Sequence, residues 1–208
     1  MESVCSWPSD LLVADASFWI NLVAGGRAAD IIRAVGTCPQ IPRVALEELE
    51  RGREKGRQTA ASLFEIINSG LVAVAELPEA AEETFLSLVA GPMTQTLDDG
   101  EAATLALALE IGAVAIIDER KAISLAGKRF PELQIISTTE FLLSDAVRAV
   151  LSTEELGSVL YAALREGRMR VPDNMLEAVC TYLGMERASH CASLPARVRQ
   201  PTGKILEY

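Results

Sequence analysis

The stretch 97–121 constrains the fold of this chain more than any other part of its sequence. Residues 98–101, Asp-Asp-Gly-Glu, are typical of a helix start, because an Asp side chain can accept hydrogen bonds from the first backbone N–H groups. The Ala- and Leu-rich run behind them predicts a helix that ends at Gly112, and the apolar run 113–117 predicts a buried strand that ends at Asp118. A helix, a tight turn and a buried strand in this order favour a parallel α/β sheet.

A second predicted strand, near the N-terminus, also ends in an acidic residue. The apolar run 11–14 leads into Asp15, and a helical stretch, 18–23, follows it. Ligands of open parallel sheets bind in the crevice outside the carboxyl ends of the strands. Asp15 and Asp118 therefore lie at one edge of the sheet if their two strands are neighbours.

Predicted strands and helices alternate as far as residue 150. The strands are predicted at 11–15, 38–41, 71–75, 113–117 and 133–136. The helices are predicted at 18–23, 27–35, from Pro42 onward, 60–68, 79–89, 102–110, 121–128 and from Thr138 or Thr139 to 150. This alternation favours an α/β fold with a doubly wound parallel sheet over a helical bundle or a β-sandwich.

Composition and charge limit the classes of function. A chain of 208 residues, 50% of them hydrophobic, can bury one substantial core. Its formal net charge of −10 argues against a protein that coats nucleic acids or binds anionic membranes, although an enzyme can reach phosphates through metal ions. We find no apolar run of the ~20 residues that a membrane span needs, no signal peptide and no CxxC spacing. We therefore expect a cytoplasmic protein with reduced thiols.

Beyond residue 150 the sequence predicts helices only, over about 152–166 and 172–182. The Pro-containing last stretch is expected to be poorly ordered or dependent on a partner. The predicted organisation is a main domain at 1–145, a helical extension at 146–187 and a tail at 188–208. The apolar faces of the two helices predict a homodimer.

The helix predicted after Pro42 contains two adjacent acidic residues. Val44, Glu48 and Arg51 share one face by their i, i+4, i+7 spacing, whereas Glu47 lies about 100° around the helix. Only one of the two acids can point where Val44 points.

Four short motifs follow one another along the chain. They are Val-Ala-Asp-Ala-Ser (13–17), Pro-Arg-Val-Ala-Leu-Glu-Glu-Leu (42–49), Gly-Glu-Ala (100–102) and Ile-Ile-Asp-Glu-Arg-Lys-Ala (116–122). Each motif is weak alone, but their order and spacing together are specific and resemble those of the PIN-domain family. The similarity spans residues 10–145 and points to the prokaryotic branch near the VapC-type toxins of toxin–antitoxin pairs.

The resemblance implies a PIN-like three-layer α/β/α sandwich whose acidic pocket binds Mg²⁺ or Mn²⁺ and cleaves RNA. The first, third and fourth acids of the family match Asp15, Glu101 and Asp118. The second matches Glu48, with Glu47 as the alternative. A toxin of this kind would also bind an antitoxin or another protein partner.

Several residues near these acids are candidates for supporting roles. Ser17 matches a hydroxyl position of the family, and Asp98 or Asp99 is expected to reach the metals through water. Candidate contacts to substrate phosphates are Arg51, Arg53, Arg120 and Lys121, and a further basic group is Arg165, Arg168 and Arg170. Basic groups of this kind are more often solvated surface than RNA contacts.

Phosphodiester hydrolysis gives a physical reason for four carboxylates. The reaction needs a water of lowered pKa and cations that neutralise charge on the attacking and leaving oxygens, and two divalent ions about 4 Å apart supply both. Such ions prefer oxygen ligands, so Asp and Glu suffice without His or Cys. Carboxylates in one pocket repel one another, so metal binding should tighten as the pH rises and should stabilise the fold.

Other interpretations of these residues remain open. Each acid alone is equally well explained as a helix cap, a strand end or a surface charge. The chain as a whole can also be a non-catalytic PIN-like scaffold that binds a partner through its C-terminal helices. A haloacid-dehalogenase-type phosphatase fits worse, because Ser17 stands where its second Asp would be, and 16–18 is not the Gly-rich loop of a nucleotide-binding module. Cys180, His190 and Cys191 match no zinc spacing.

Overall fold

The computed structural model describes residues 11–54 and 59–199, and within them one five-stranded parallel sheet. Its strands are β1 (Leu12–Ala14), β2 (Gln40–Pro42), β3 (Ala73–Ala75), β4 (Val114–Ile116) and β5 (Ile135–Ile136). They lie in the order β3-β2-β1-β4-β5. All five lie at or beside the predicted positions, which confirms the doubly wound parallel sheet.

Helices cover both faces of this sheet. Those before residue 130 are α1 (Ala16–Ala24), α2 (Ala28–Val35), α3 (Arg43–Glu54), α4 (Thr59–Asn68), α5 (Glu79–Val89), α6 (Asp99–Ile111) and α7 (Arg120–Arg129). Side chains of β1 alternate between two apolar clusters, because successive residues of a strand point to opposite faces. Leu12 and Ala14 pack with Phe18 of α1, whereas Val13 packs with Leu105 of α6. The molecule is thus the three-layer α/β/α sandwich that the resemblance implied.

The carboxyl ends of β1 and β4 meet at the centre of the sheet. The chain leaves β1 toward β2 on one side and leaves β4 toward β5 on the other. Ala14 pairs with Ile116, and the backbone N–H of Asp15 donates to the Ile116 carbonyl at 3.2 Å. A change of direction of this kind opens a crevice at the sheet edge. Asp15 and Asp118 follow the two strands into it.

The helix predicted at 138–150 is two short helices, α8 (Thr138–Leu142) and α9 (Asp145–Arg148). Ser144 lies between them and accepts a hydrogen bond from the backbone N–H of Val147 at 3.4 Å, as an N-cap does. Because this cap starts a new helix, the prediction of one continuous helix is wrong.

The C-terminal part, residues 153–199, contains further helices. They are α10 (Thr153–Ala162), a π-helical turn (Ala163–Gly167), a 3-10 turn (Asp173–Met175), α11 (Leu176–Ser189) and α12 (Ala196–Arg199). The predicted helix 152–166 thus changes to π pitch in its last turn, and α11 is interrupted at Gly184, where φ is 69°. No helix within residues 11–54 and 59–199 combines the length and the apolar character needed to cross a membrane.

The C-terminal part shares the apolar core of the sheet. Leu160 and Leu183 belong to the same cluster as Trp19 of α1. Residues 188–199, the start of the expected tail, contribute Cys191 and Leu194, whose exposed fractions are 0% and 2%. Residues 200–208 lie outside the described residues. The apolar faces on which the homodimer was predicted are therefore buried within the chain and give no support to that prediction.

Candidate active site

Asp15 joins the end of β1 to the start of α1. Its Oδ1 accepts the backbone N–H of Phe18 at 2.9 Å, and the Ser17 hydroxyl lies 2.9 and 2.8 Å from its two oxygens. The residue is only 4% exposed. Burial, and then the charge of Asp118, raise the pKa of Asp15 to about 8 against the opposing effect of these hydrogen bonds. Asp15 is both a helix cap and a buried acid.

Asp118 is bound by two separate elements. The side-chain amide of Asn21, on α1, donates to its Oδ2 at 2.9 Å. The backbone N–H of Thr138 donates to its Oδ1 and the Thr138 hydroxyl to its Oδ2, both at 2.7 Å. Burial raises the pKa of Asp118, while these bonds and the charge of Arg170 oppose that rise. The three donors fix the orientation of the carboxylate.

Glu48, on α3, reaches the start of α6. Its Oε1 accepts the backbone N–H of Gly100 at 3.0 Å. Burial, followed by the charge of Asp98, raises the pKa of Glu48. The neighbouring Glu47 is exposed and does not line the cavity described below. Of the two adjacent acids, Glu48 is thus the one directed at the other carboxylates.

The start of α6 positions the fourth acid. Asp98 is the N-cap and accepts the backbone N–H of Glu101 at 2.9 Å. Burial, and then the charges of Asp98 and Glu119, raise the pKa of Glu101 to about 7. Asp99 is exposed and lies outside the lining of the cavity.

These acids line one cavity of about 250 Å³ at the switch point of the sheet. Its wall consists of Asp15, Ala16, Ser17, Ile20, Asn21, Glu48, Asp98, Gly100, Glu101, Asp118, Glu119, Gly167, Arg168 and Arg170. The structure therefore brings together all four predicted acids, with Ser17 and Asp98 beside them.

Three of the four predicted phosphate contacts do not line this cavity. Arg51 donates to the backbone carbonyl of Glu47 at 3.3 Å, and Lys121 donates to that of Met93 at 2.5 Å. Arg120 lies 4.0 Å from Asp173 and lines a neighbouring cavity. The side chain of Arg53 lies outside the described residues.

The arginines that line the acidic cavity are instead Arg168 and Arg170, in the C-terminal part. Both belong to the basic group Arg165, Arg168 and Arg170, for which the sequence leaves a role in phosphate binding open.

One family comparison identifies the fold family. The model of a family described as a PIN domain matches residues 11–184, which is most of the chain. The chain belongs to the PIN-domain family. PIN domains are generally nucleases and usually use divalent metal ions. The matched part of this PIN domain extends beyond residue 145 into α11. None of the curated proteins matches the chain.

The donor atoms of this PIN domain fit a hard divalent ion. Carboxylate oxygens are the ligands that Mg²⁺ and Mn²⁺ prefer, and burial raises the pKa of all four acids, so a bound cation would favour their ionised form. Asn21 adds a buried Oδ1 that has no hydrogen-bond partner among the described residues. Within those residues, no group of three or more His, Cys, Asp or Glu side chains is arranged to hold one metal ion.

Three residues of this site were missed in the sequence. Asn21 lies four residues after Ser17 in an otherwise apolar helix, and this i, i+4 spacing could have placed it on the same face. Thr138 follows β5, the strand beside β4, so the rule for carboxyl ends of parallel strands could have found it. Glu119 has no such signal, since it is one more acid at a helix start.

Proposed function

We propose that this PIN domain is a ribonuclease that hydrolyses RNA phosphodiester bonds with Mg²⁺ or Mn²⁺ at Asp15, Glu48, Glu101 and Asp118. One observation supports this proposal most directly. Acids from four separate parts of the chain line a single cavity at the switch point of the sheet, and the pKa of each is raised. A fold that needed these residues only as caps or surface charges would not gather them where they repel one another.

Hydrogen bonds orient three of the four acids. Asp15 is fixed by Ser17 and the start of α1, and Asp118 by donors from α1 and α8. Glu48 is fixed by the backbone of α6. A bound divalent ion would supply a coordinated water of lowered pKa and neutralise charge on the phosphate oxygens. Because the protein orients these carboxylates in advance, little reorganisation remains for the reaction itself.

The choice of RNA, and a role as a toxin with an antitoxin partner, rest on the resemblance of the four motifs to prokaryotic PIN domains of the VapC type. Hydrolysis of phosphodiesters by metal ions serves both RNA and DNA. We therefore include both nucleic acids in the test.

Thermal unfolding with and without Mn²⁺ or Mg²⁺, beside cleavage of single-stranded RNA and DNA of the same sequence, tests the proposal. We expect the metals to raise the melting temperature of the wild type and to support cleavage of RNA. Asp118→Asn should abolish both effects. Glu48→Gln should weaken both, whereas Glu47→Gln, which removes an adjacent exposed charge, should leave both unchanged.

Two results would contradict the proposal. If no metal shifts the melting temperature, the acids are caps and surface charges. If the metals bind and neither nucleic acid is cleaved, the protein is a PIN-like scaffold, and its C-terminal helices become the place to look for a partner.

A further inference from the structure

The C-terminal part of the chain forms one wall of the acidic cavity. Gly167, Arg168 and Arg170 line it together with the four acids. None of the four motifs that resemble PIN domains includes these residues. The C-terminal part thus brings two basic residues to a cavity lined by carboxylates.

The backbone at Arg168 has an unusual conformation. The π-helical turn Ala163–Gly167 ends at this residue, whose φ and ψ are 61° and 35°. Among the described residues it is the only one other than glycine with a positive φ. A left-handed backbone is unfavourable for a residue with a Cβ atom, and both such residues and π-helical turns are frequent at functional sites.

The residues around Arg168 anchor it to the core. Met169 and Val171 are buried, whereas Arg168 and Arg170, which alternate with them, are exposed. The backbone N–H of Met169 donates to the carbonyl of Ala163 at 2.9 Å. The main chain is thus fixed by buried neighbours, while Arg168 and Arg170, which line the acidic cavity, are exposed to solvent.

Gly167 connects this segment to the acids. A Cβ at Gly167 would lie 2.4 Å from Oδ1 of Asn21, so the backbone of the π-helical turn packs directly on that side chain. Asn21 in turn donates to Asp118. One side chain therefore links the position of Arg168 to that of a proposed metal ligand.

The two arginines differ in their partners. Arg170 forms an ion pair with Glu119 at 2.6 Å. Arg168 has no ion pair with any residue in 11–54 or 59–199. An unpaired guanidinium group is well suited to bind phosphate, because its planar fork of N–H donors matches two phosphate oxygens.

A second cavity of about 210 Å³ lies beside the acidic cavity and shares Asp118 and Arg170 with it. The remaining wall of this second cavity consists of Arg120, Ile123, Ser137, Val171, Pro172 and Asp173. Both arginines of this second cavity are paired, Arg120 with Asp173 and Arg170 with Glu119, which leaves Arg168 as the unpaired arginine beside the acids in the part of the chain that the structure describes.

We propose that Arg168 binds a backbone phosphate of the single nucleic acid strand whose scissile bond lies at the four acids. This inference rests on the proposed function, since that function places the scissile phosphate in the cavity. Arg168 is then a substrate-binding residue, and the C-terminal part is a component of the active site.

Binding of a short fluorescein-labelled single-stranded RNA, measured by anisotropy in Ca²⁺ over a series of salt concentrations, tests the proposal. Gels verify that the RNA stays intact. Arg168→Ala should weaken binding about tenfold, as expected for the loss of one charged hydrogen-bonding group. It should also reduce the slope of log affinity against log salt by about 0.7, the value for one contact to a single strand. Arg168→Lys should preserve that slope.

Two further variants separate binding from folding. Arg33→Ala removes the same charge from an exposed side chain of α2 that pairs with Asp30, and it should change neither affinity nor slope. Arg168→Gly should lose affinity as Arg168→Ala does, yet melt at or above the wild-type temperature, because glycine accepts a φ of 61°.

The outcomes distinguish this inference from the proposed function. An unchanged salt slope in Arg168→Ala, in a wild type that cleaves RNA, overturns the inference alone. A wild type that binds RNA and does not cleave it with Mn²⁺ or Mg²⁺ overturns the proposed function alone, and the slope still decides on Arg168. A large drop in the melting temperature of Arg168→Gly overturns the inference in favour of a structural role.

Discussion

Gly100 positions Glu48 through its lack of a side chain. Its N–H donates to Oε1 of Glu48, and a Cβ at Gly100 would lie 2.7 Å from Oε2 of the same carboxylate. The residue lies in the first turn of α6, where any residue could adopt the backbone conformation. The glycine is thus required for close approach, and the Glu48 side chain is the group that would move.

Gly100→Ala should therefore impair the site while leaving the fold intact. We expect Glu48 to be displaced, so that Mn²⁺ no longer stabilises the protein fully and cleavage falls. Metal-free stability should stay equal or rise by up to about 1 kcal/mol, because alanine favours a helix. Urea unfolding with and without Mn²⁺ measures both effects. Gly127→Ala on α7, where a Cβ meets nothing within 4 Å, is the matched control and should leave the metal response unchanged.

The buried acids predict how stability depends on pH in the absence of metal. The pKa of Asp15 is raised to about 8 and that of Glu101 to about 7, whereas in an unfolded chain both are about 4. Between these values the folded state binds more protons than the unfolded state. The stability that these two acids contribute to the fold is thus complete below pH ~4 and is lost as the pH rises through 7 and 8.

Urea unfolding in EDTA over this pH range measures how the free energy of unfolding falls as the pH rises. Asp15→Asn should flatten the curve and raise stability at alkaline pH, and Glu47→Gln should follow the wild type. Parallel curves for the wild type and Asp15→Asn would show that Asp15 is not a protonated acid in the metal-free fold.

At the scale of elements, the contact between α1 and the π-helical turn positions Asn21, which donates a hydrogen bond to Asp118. Gly167→Ala would push a methyl group against Asn21, and overpacking of this kind costs about 1–3 kcal/mol. We expect a lower melting temperature and weaker binding of Mn²⁺, because Asn21 donates to Asp118.

Gly157→Ala is the comparison for this prediction. A Cβ at Gly157 would lie 2.6 Å from the backbone carbonyl oxygen of Tyr182, in the contact between α10 and α11, and Gly157 does not line the acidic cavity. This variant should lose stability and bind Mn²⁺ normally. Equal metal binding by the two variants would argue against the link from Gly167 to Asp118.

The elements that could be predicted are those with local signals. Strands that end in Asp, and the Asp98 cap of α6, are visible in a few consecutive residues, so the sheet and the four acids followed from the sequence and the family resemblance. The contacts of Asp118 with Asn21 and Thr138 join residues 97 and 20 positions away, so only the assembled sheet reveals them. The sequence marks Arg168 only as one of three neighbouring arginines, and its position at the cavity depends on the packing of the π-helical turn on α1.

At the scale of the whole molecule, the C-terminal part completes the core. Phe18 and Trp19 are fully buried in a cluster that includes Leu160, Leu164 and Leu183. Burial of each large apolar side chain stabilises a fold by about 1.5–3 kcal/mol. The loss of several such burials is therefore comparable to the whole 5–15 kcal/mol by which a typical domain is stable.

A chain truncated after residue 150 should therefore fail to fold cooperatively. We expect a broad urea transition, a weak near-ultraviolet circular dichroism signal and no stabilisation by Mn²⁺. A chain that ends at residue 199 is the control and should unfold in one sharp transition. Cooperative unfolding of the shorter chain would instead support the predicted independent domain at 1–145.

The pairing of β1 with β4 also determines when the cavity can form during synthesis. Leu12 pairs with Val114, so the ribosome must release a long intervening segment before the first and last acids can meet. Contacts between such distant residues form late, because closing a long loop reduces chain entropy. Arg168 emerges later still. A nascent chain therefore acquires the complete cavity only after residues as far as Arg170 have left the ribosome, because residues from Asp15 to Arg170 line it.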